Sequence, residues 1–405
     1  MMERKRVFFE IAAWILTIVC LLLLLEFSFR VWHKTSGHPV WVSDSFRGYR
    51  HSANNRFVYN FDGGRVANVT DENGFIGKGL SQEKKPSIRV IVLGDSFTEA
   101  VQVPWEQNYC SVLEEQLNKP SFAPDKNVTV INAGVSGYSP IDEYQYFRRE
   151  LKKFRPDMVV LQMFPNDVFE DHKARAMGVM DDNGMPLVIS TLFRDRVEVP
   201  DEKSWFFNIK EFLLKHSCLA ESINRRFYRL LKKTKLQKAM NSQPEYDNDH
   251  QMFIIDESSA LFKDASFREA LLADTFLYVK ALRQEVESAG AGFSVMLIPH
   301  EAQLPLKRYN RHVDYYFKNP PAGTFFNDRL AKFCQEEGIP FLDFKTVFEQ
   351  HITDDLYWPE DGHLRPMGHQ LVGETLARFV EEQYHGGRHP GSQGKTGVHE
   401  SPAQL

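Results

Sequence analysis

Apolar runs at 88–93, 128–131, 158–163, 293–298 and 341–344 alternate with stretches of helical spacing, notably around 105–117 and over 140–154. Such alternation predicts a parallel sheet wound with helices, an architecture that binds ligands at the carboxyl ends of its strands. The residues just after each run therefore matter most. The first run ends in Gly94-Asp95-Ser96-Phe97-Thr98-Glu99 and passes straight into helix-forming residues. This sets a serine hydroxyl at the carboxyl edge of the sheet and makes it a nucleophile candidate, although a lone Gly-Asp-Ser more often marks a turn and a helix cap.

Three more segments change that balance. Asn132-Ala133-Gly134-Val135-Ser136-Gly137-Tyr138 follows the second run, with glycines that permit tight turns and leave amides uncovered. Phe164-Pro165-Asn166-Asp167 follows the third, where an asparagine amide can point across the same edge. Glu360-Asp361-Gly362-His363-Leu364-Arg365-Pro366-Met367-Gly368-His369 lies near the end of the folded part, before a last amphipathic helix. It supplies a general base and an acid to orient it.

With Ser96, Gly137, Asn166 and His363 in this order, the chain resembles the SGNH/GDSL hydrolase superfamily over residues 88–384. The resemblance implies a three-layer α/β/α fold of flavodoxin-like type around a central parallel sheet. It implies Ser96, His363 and an acid as the catalytic set, with an oxyanion hole from the backbone amides of Ser96 and Gly137 and the side-chain amide of Asn166. Neither a metal nor an organic cofactor is expected. Phe164 departs from the Gly that many members carry before x-Asn-Asp, which bears on local loop shape. Many members also space Asp three residues before His, a position held here by Glu360, whereas envelope O-acetyltransferase relatives use Asp-x-His, here Asp361-Gly362-His363. Asp361 is favoured, because Gly362 can bend the chain so that the carboxylate reaches the ring.

The chemistry needs these residue types. A serine hydroxyl is a weak nucleophile until a base within hydrogen-bond reach takes its proton, and histidine can take that proton and later give it to the leaving group. The acid holds the imidazole in the right tautomer and stabilises the imidazolium. Charge developing on the carbonyl oxygen needs fixed donors. No Gly-x-Ser-x-Gly elbow surrounds Ser96, and the acid and base lie together at the far end, both unlike an α/β-hydrolase. Asp95 and Thr98 are expected to brace the turn and cap the helix. Gly134 is an alternative to Gly137 as amide donor, and Asp167 is expected to support the Asn166 loop. His369 is expected on a helix surface or in packing. His300 ends the fourth run and is expected to be a solvated loop histidine rather than part of a substrate pocket.

The amino terminus sets the compartment. Arg4-Lys5-Arg6 precede a stretch over 7–29 interrupted only by Glu10, Thr17, Glu26 and Ser28, long enough with its flanks to span a bilayer with both glutamates near the interfaces. No small-x-small site follows, and Val19 precedes Cys20, so an uncleaved anchor is expected rather than a removed signal or a lipidation site. Basic residues before the span keep the amino terminus (1–6) cytoplasmic and turn the rest outward, with Arg30, His33 and Lys34 weighing slightly against.

Beyond the anchor, residues 30–86 form a polar, aromatic stem with turns at Gly63-Gly64 and Asn73-Gly74, expected to pack on the catalytic domain of 87–384. An insertion over about 170–265 is too long for a bare loop and must carry its own structure. Asp182-Asn183-Gly184 predicts a hairpin within it, and 204–235 predicts amphipathic helices ending in a basic stretch, Arg225 to Lys235, expected to be a solvated face. Residues 385–405 are expected to be a disordered tail. Of 405 residues, 42% are hydrophobic, enough for one large core, and the formal net charge of −5 offers nothing to nucleic acid. Cys110, Cys218 and Cys334, without metal spacing, are neither a zinc site nor a disulfide framework.

The sequence thus points to a membrane-anchored, outward-facing enzyme that moves an acyl group, most simply acetyl, between carbohydrate or envelope polymer and water through a Ser96 acyl-enzyme. An O-acetyltransferase of exported polysaccharide uses the same groups with a sugar hydroxyl in place of water. A non-catalytic envelope binding module is the remaining alternative, and the complete set of site residues argues against it.

Overall fold

The computed structural model describes residues 2–36, 40–61, 63–78, 87–189, 202–220, 222–224, 226, 265–305, 324–352, 355–359 and 361–386. It opens on helix α1 (Met2–Ser36). Within it, Arg6–Val31 is the one helix among the described residues long and apolar enough to cross a membrane, and none of it is buried. The stem folds as two antiparallel hairpins, β1 (Trp41–Asp44) with β2 (Gly48–His51) and β3 (Arg56–Phe61) with β4 (Gly64–Val69).

The predicted strands all form. They are β5 (Ser87–Leu93), β6 (Asn127–Asn132), β7 (Met158–Met163), β10 (Gly292–Leu297) and β11 (Phe341–Asp343), with a small hairpin of β8 (Val179–Met180) and β9 (Pro186–Val188) between the third and fourth. The five pair in parallel in the order β11-β10-β7-β5-β6. In chain order this is 2-1-3-4-5, the flavodoxin-like doubly wound order whose direction reverses between its first and third strands. That switch point is the gap between the ends of β5 and β7.

Alternate residues of each strand enter opposite cores, which explains why the runs are apolar throughout. Ile91, Leu93, Val159 and Leu161 face one side, under α4 (Pro140–Arg149), α7 (Ala265–Ser288) and α8 (Phe325–Glu337). Val90, Val92, Met158 and Val160 face the other, under α3 (Tyr109–Leu117), α9 (Phe344–Gln350) and α10 (Pro366–His385). Burying each such side chain is worth about 1.5–3 kcal/mol.

The first hairpin is fastened to this frame. Arg47 at its turn is 1% exposed, donates to Asp44 at 2.9 Å and to Glu150 at 2.5 Å, and lies 4.2 Å from the Tyr146 ring centre. Burial alone would raise the Asp44 carboxyl, but the charge and hydrogen bonds of Arg47 outweigh it and hold that carboxyl below the ordinary range. In the insertion, α5 (Asp167–Met177) leaves directly from the Asn166 loop, and the Asp182-Asn183-Gly184 hairpin closes with Gly184 donating to the Asp181 carbonyl at 2.9 Å. Helix α6 (Trp205–His216) and the helical residues at 218–220 and 222–224 belong to the described part of the predicted helices. Most of the basic stretch 225–235 and the tail beyond residue 386 lie outside the described residues.

Candidate active site

The chain passes from β5 into α2 (Ser96–Glu99), a single helical turn. Asp95 caps it, its carboxylate accepting from the Phe97 amide at 2.9 Å. Gly94 is required by space: a Cβ there would come within 2.1 Å of Thr98 Oγ1 and 2.4 Å of Gln162 Oε1. Thr98 in turn bonds Gln162 at 2.7 Å and Tyr109 at 2.5 Å, so both residues brace the turn as expected. Ser96 is thereby presented at the strand end.

His363 meets it from the loop before α10. Its Nε2 lies 2.7 Å from Ser96 Oγ and its Nδ1 lies 2.6 Å from Asp361 Oδ1. Gly362 between acid and base takes a φ of +78°, which lets two residues so close in sequence face one another. Glu360 lies outside the described residues. Burial alone would depress the His363 pKa, but the hydrogen bond and charge of Asp361, helped by Asp95 and Glu99, raise it above the ordinary histidine value. With a proton on Nδ1 held by Asp361, Nε2 is left to accept from the serine.

The other two segments converge by register. Val92 pairs with Asn132, and Leu93 with Leu161, so the loops after β6 and β7 flank the serine. Gly137 has a φ of +76° and packs so closely on the Tyr49 hydroxyl that a Cβ would lie 2.8 Å from it. The Gly134 amide is committed to Asn132 Oδ1 at 3.0 Å, and a Cβ there would strike Glu99 N at 2.4 Å. Gly134 therefore packs against α2, which leaves Gly137 as the candidate amide donor. Asn166 immediately precedes α5, and its Oδ1 is buried without a partner among the described residues. Asp167 braces this loop: its carboxylate accepts from Phe164 N at 2.9 Å while its own amide donates to Phe164 O at 3.0 Å. Phe164, the departure from glycine, stacks on Phe97 at 4.3 Å and reaches the His300 ring at 5.7 Å.

His300 corrects the expectation of a solvated loop residue. It is 6% exposed beside Phe164, because the 301–303 turn folds back so that its amide donates to Gln303 Oε1 at 2.9 Å. His369 is a packing histidine, stacked on Tyr109 at 5.9 Å, and burial followed by the charge of His363 pushes its pKa down to about 3.

Glu99 is what the sequence did not disclose. Buried directly beneath the serine turn, it accepts from Trp41 Nε1 at 2.9 Å and pairs with His51 Nε2 at 2.5 Å, both from the stem. Tyr49 adds a bond to the Ser136 carbonyl at 2.7 Å. The first hairpin thus holds both the nucleophile turn and the Gly137 loop, a pairing no local motif announces. A set of buried carboxyls lies below: burial raises Asp95 to about 6 and Asp171 to about 7, and raises Asp142, Glu143 and Asp167 well above the ordinary range. No group of three or more histidine, cysteine or acidic side chains is placed to hold a metal among the described residues.

No family model matches the chain. Over 118 residues it is 26% identical to an arylesterase of Vibrio mimicus, a match that takes in 27% of this chain and 57% of the arylesterase. The chain thus spans little more than half of that relative. Solved structures similar to it include a lipolytic protein of the G-D-S-L family from Desulfitobacterium hafniense, at 14% identity over 72% of this chain and 98% of the other, TM-score 0.34. A catalytic mutant of an acetylxylan esterase from Geobacillus stearothermophilus is 14% identical over 74% and 96%, TM-score 0.36. The esterase EstA of a Pseudoalteromonas species is 10% identical over 73% and 98%, TM-score 0.34. By its strand order the chain is an α/β protein with a doubly wound parallel sheet, and its four segments follow one another along the carboxyl edge of that sheet.

Proposed function

We propose that the chain is a serine ester hydrolase acting through a Ser96 acyl-enzyme. The unbroken relay from Ser96 through His363 to Asp361, at 2.7 and 2.6 Å, carries this assignment. The similarity to an arylesterase points to the same bond class. Ser96 Oγ attacks the acyl carbonyl carbon as its proton passes to His363 Nε2. The oxyanion is received by the amides of Ser96 and Gly137 and by Asn166, and Asp361 steadies the imidazolium. Collapse breaks the ester bond, the alcohol leaving with the proton from His363. Water then repeats the sequence on the acyl-enzyme and frees the acid.

The substrate is proposed to be an acyl ester, most simply acetyl, of a carbohydrate or envelope polymer. Beside the base, Trp358 accepts a bond at its carbonyl from Gly362 at 2.9 Å and donates its amide to the His363 carbonyl at 2.8 Å. Its partly exposed ring meets Phe61 of the second hairpin at 5.1 Å and has the Arg365 guanidinium over it at 4.8 Å, and Phe61 stacks on Tyr59 at 6.0 Å. The partly exposed aromatic edge this leaves suits the apolar face of a sugar ring. Helix α1 is proposed as a retained anchor, with the domain on the extracytoplasmic side.

The test is acetate release by the full chain in detergent from a nitrophenyl acetate and from acetylated xylo-oligosaccharide, with and without an unacetylated acceptor glycan. Hydrolysis of both substrates supports the proposal. Acetyl appearing on the acceptor without free acetate would replace hydrolase by O-acetyltransferase, and no turnover together with no labelling of Ser96 by a serine-directed phosphonate would end both.

A further inference from the structure

Helix α6 carries its apolar stripe on the wrong side for a helix of a water-soluble domain. Trp205, Phe206, Ile209, Phe212 and Leu213 are 74, 67, 48, 62 and 45% exposed. At about 100° per residue they fill an arc of roughly 120°. The face toward the domain is the mixed one: Phe207 meets Phe46 at 5.9 Å, and Glu211 accepts from Ser45 at 2.5 Å. A surface helix ordinarily turns its apolar stripe to the core.

The position of α6 says what covers that stripe. Immediately after it, Ser217 Oγ donates to Glu26 of α1 at 2.8 Å, and the amides of Cys218 and Leu219 donate to the same carboxylate at 3.1 Å each. Glu26 also pairs with Arg30 at 2.7 Å. The stretch able to cross a membrane ends at Val31, five residues further on, or roughly 7–8 Å along the helix axis. The carboxyl end of α6 is thus tied to α1 at the depth of the outer interface, and amphipathic helices at an interface sink their apolar face about 5–10 Å into the headgroup boundary.

We propose that α6 lies in the surface of the same bilayer that α1 spans, with Trp205, Phe206, Ile209, Phe212 and Leu213 in the lipid, and so fixes how the domain stands on the membrane. The proposal rests on α1 being a retained span, as proposed above. Two points of attachment define an orientation where one leaves the domain free to swivel. The inner face of α6 passes that orientation on through Phe46 and Ser45 of the first hairpin, and the turn before α6 does so through Glu202, which accepts from Arg149 of α4 at 2.9 Å. The same hairpin holds Glu99 and the Gly137 loop.

The experiment reconstitutes the full chain in phosphatidylcholine–phosphatidylglycerol vesicles, with and without acyl chains carrying bromine, which quenches tryptophan at contact. Wild type is compared with Trp205→Phe and with Trp14→Phe, the latter reporting on α1, and circular dichroism checks the fold. The expected result is that bromolipid quenching falls in each variant. Quenching reduced by Trp14→Phe alone would overturn the proposal and leave the span intact. Quenching reduced by neither would overturn the proposal together with the span. Trp205 shielded from aqueous acrylamide but untouched by bromolipid would give the stripe to a second copy of the chain, again against the proposal.

Discussion

The carboxyl edge of the sheet and helix α6 place large apolar side chains in opposite ways. At the edge, Phe97 and Phe164 stack on each other at 4% exposure each and wall in the serine–histidine pair, while on α6 Trp205 and Phe206 stand 74 and 67% exposed. Aromatic burial at the edge holds polar groups within hydrogen-bond reach, and the hydrogen bond and charge of Asp361 raise the basicity of His363 against that burial. Aromatic exposure on α6 fixes nothing inside the fold. The two regions therefore differ in kind, one holding polar groups in a buried geometry and the other exposing a large apolar stripe, and substitutions in them should differ accordingly.

The largest effect belongs to the edge. Ser96→Ala should cut kcat/KM on a nitrophenyl acetate by about 10⁴-fold or more and abolish phosphonate labelling, while Tm stays near wild type. Turnover kept above about 10⁻² of wild type would remove Ser96 from the chemistry, since loss of a triad nucleophile costs far more. Asp361→Asn comes next, at about 10³–10⁴-fold. It carries a second readout. His363 must be neutral to act as base and Asp361 raises its pKa, so wild-type activity should climb with pH through a value above the ordinary histidine one. Without the Asp361 charge, burial dominates and that limb should move to lower pH. A limb that stays in place would take Asp361 out of contact with the base.

Much of this edge was legible in the sequence. The five strands, the cap at Asp95, the bracing by Asp167 and the Asp361-Gly362-His363 turn follow from residues adjacent in the chain, where periodicity and backbone freedom suffice. What was not legible depends on distance along the chain. Glu99 is answered by His51 and Trp41, 48 and 58 residues away. His300 is buried by a turn and by the Phe164 ring that follows β7, and the carboxyl end of α6 is tied to Glu26, 191 residues before Ser217. Sequence marks amphipathicity; it does not say which face meets the core.

A smaller effect lies beneath the edge and concerns stability alone. Burial raises Asp171 to about 7, so its neutral form is preferred in the folded chain. The sign follows from linkage: a raised carboxyl contributes stability that is complete below the unfolded value of about 4 and is lost as pH rises through the folded one. Tm should therefore decline from about pH 4 to pH 7, and Asp171→Asn, which cannot ionise, should flatten the decline. The bond from the Ile141 amide to Asp171 Oδ1 at 2.9 Å can pass to the asparagine carbonyl oxygen, so the fold should hold. An unchanged slope would show that Asp171 titrates as it does in the unfolded chain.

The smallest effect should come from α6. Phe206 and Ile209 are 67 and 48% exposed and lie on the face turned away from Phe46 and Ser45, so charging them removes little packing. Surface changes of this kind usually stay within about 0.5 kcal/mol of stability. Phe206→Glu combined with Ile209→Glu should leave kcat/KM on a soluble acetate ester in detergent within about twofold of wild type, since none of the triad or candidate oxyanion groups touches α6. In vesicles the same pair should release the second point of attachment, and the bromolipid quenching assigned to Trp205 should weaken while that of Trp14 persists. If the pair instead removes soluble-ester activity as Ser96→Ala does, α6 is holding the reaction geometry through the first hairpin, and the two regions are one machine.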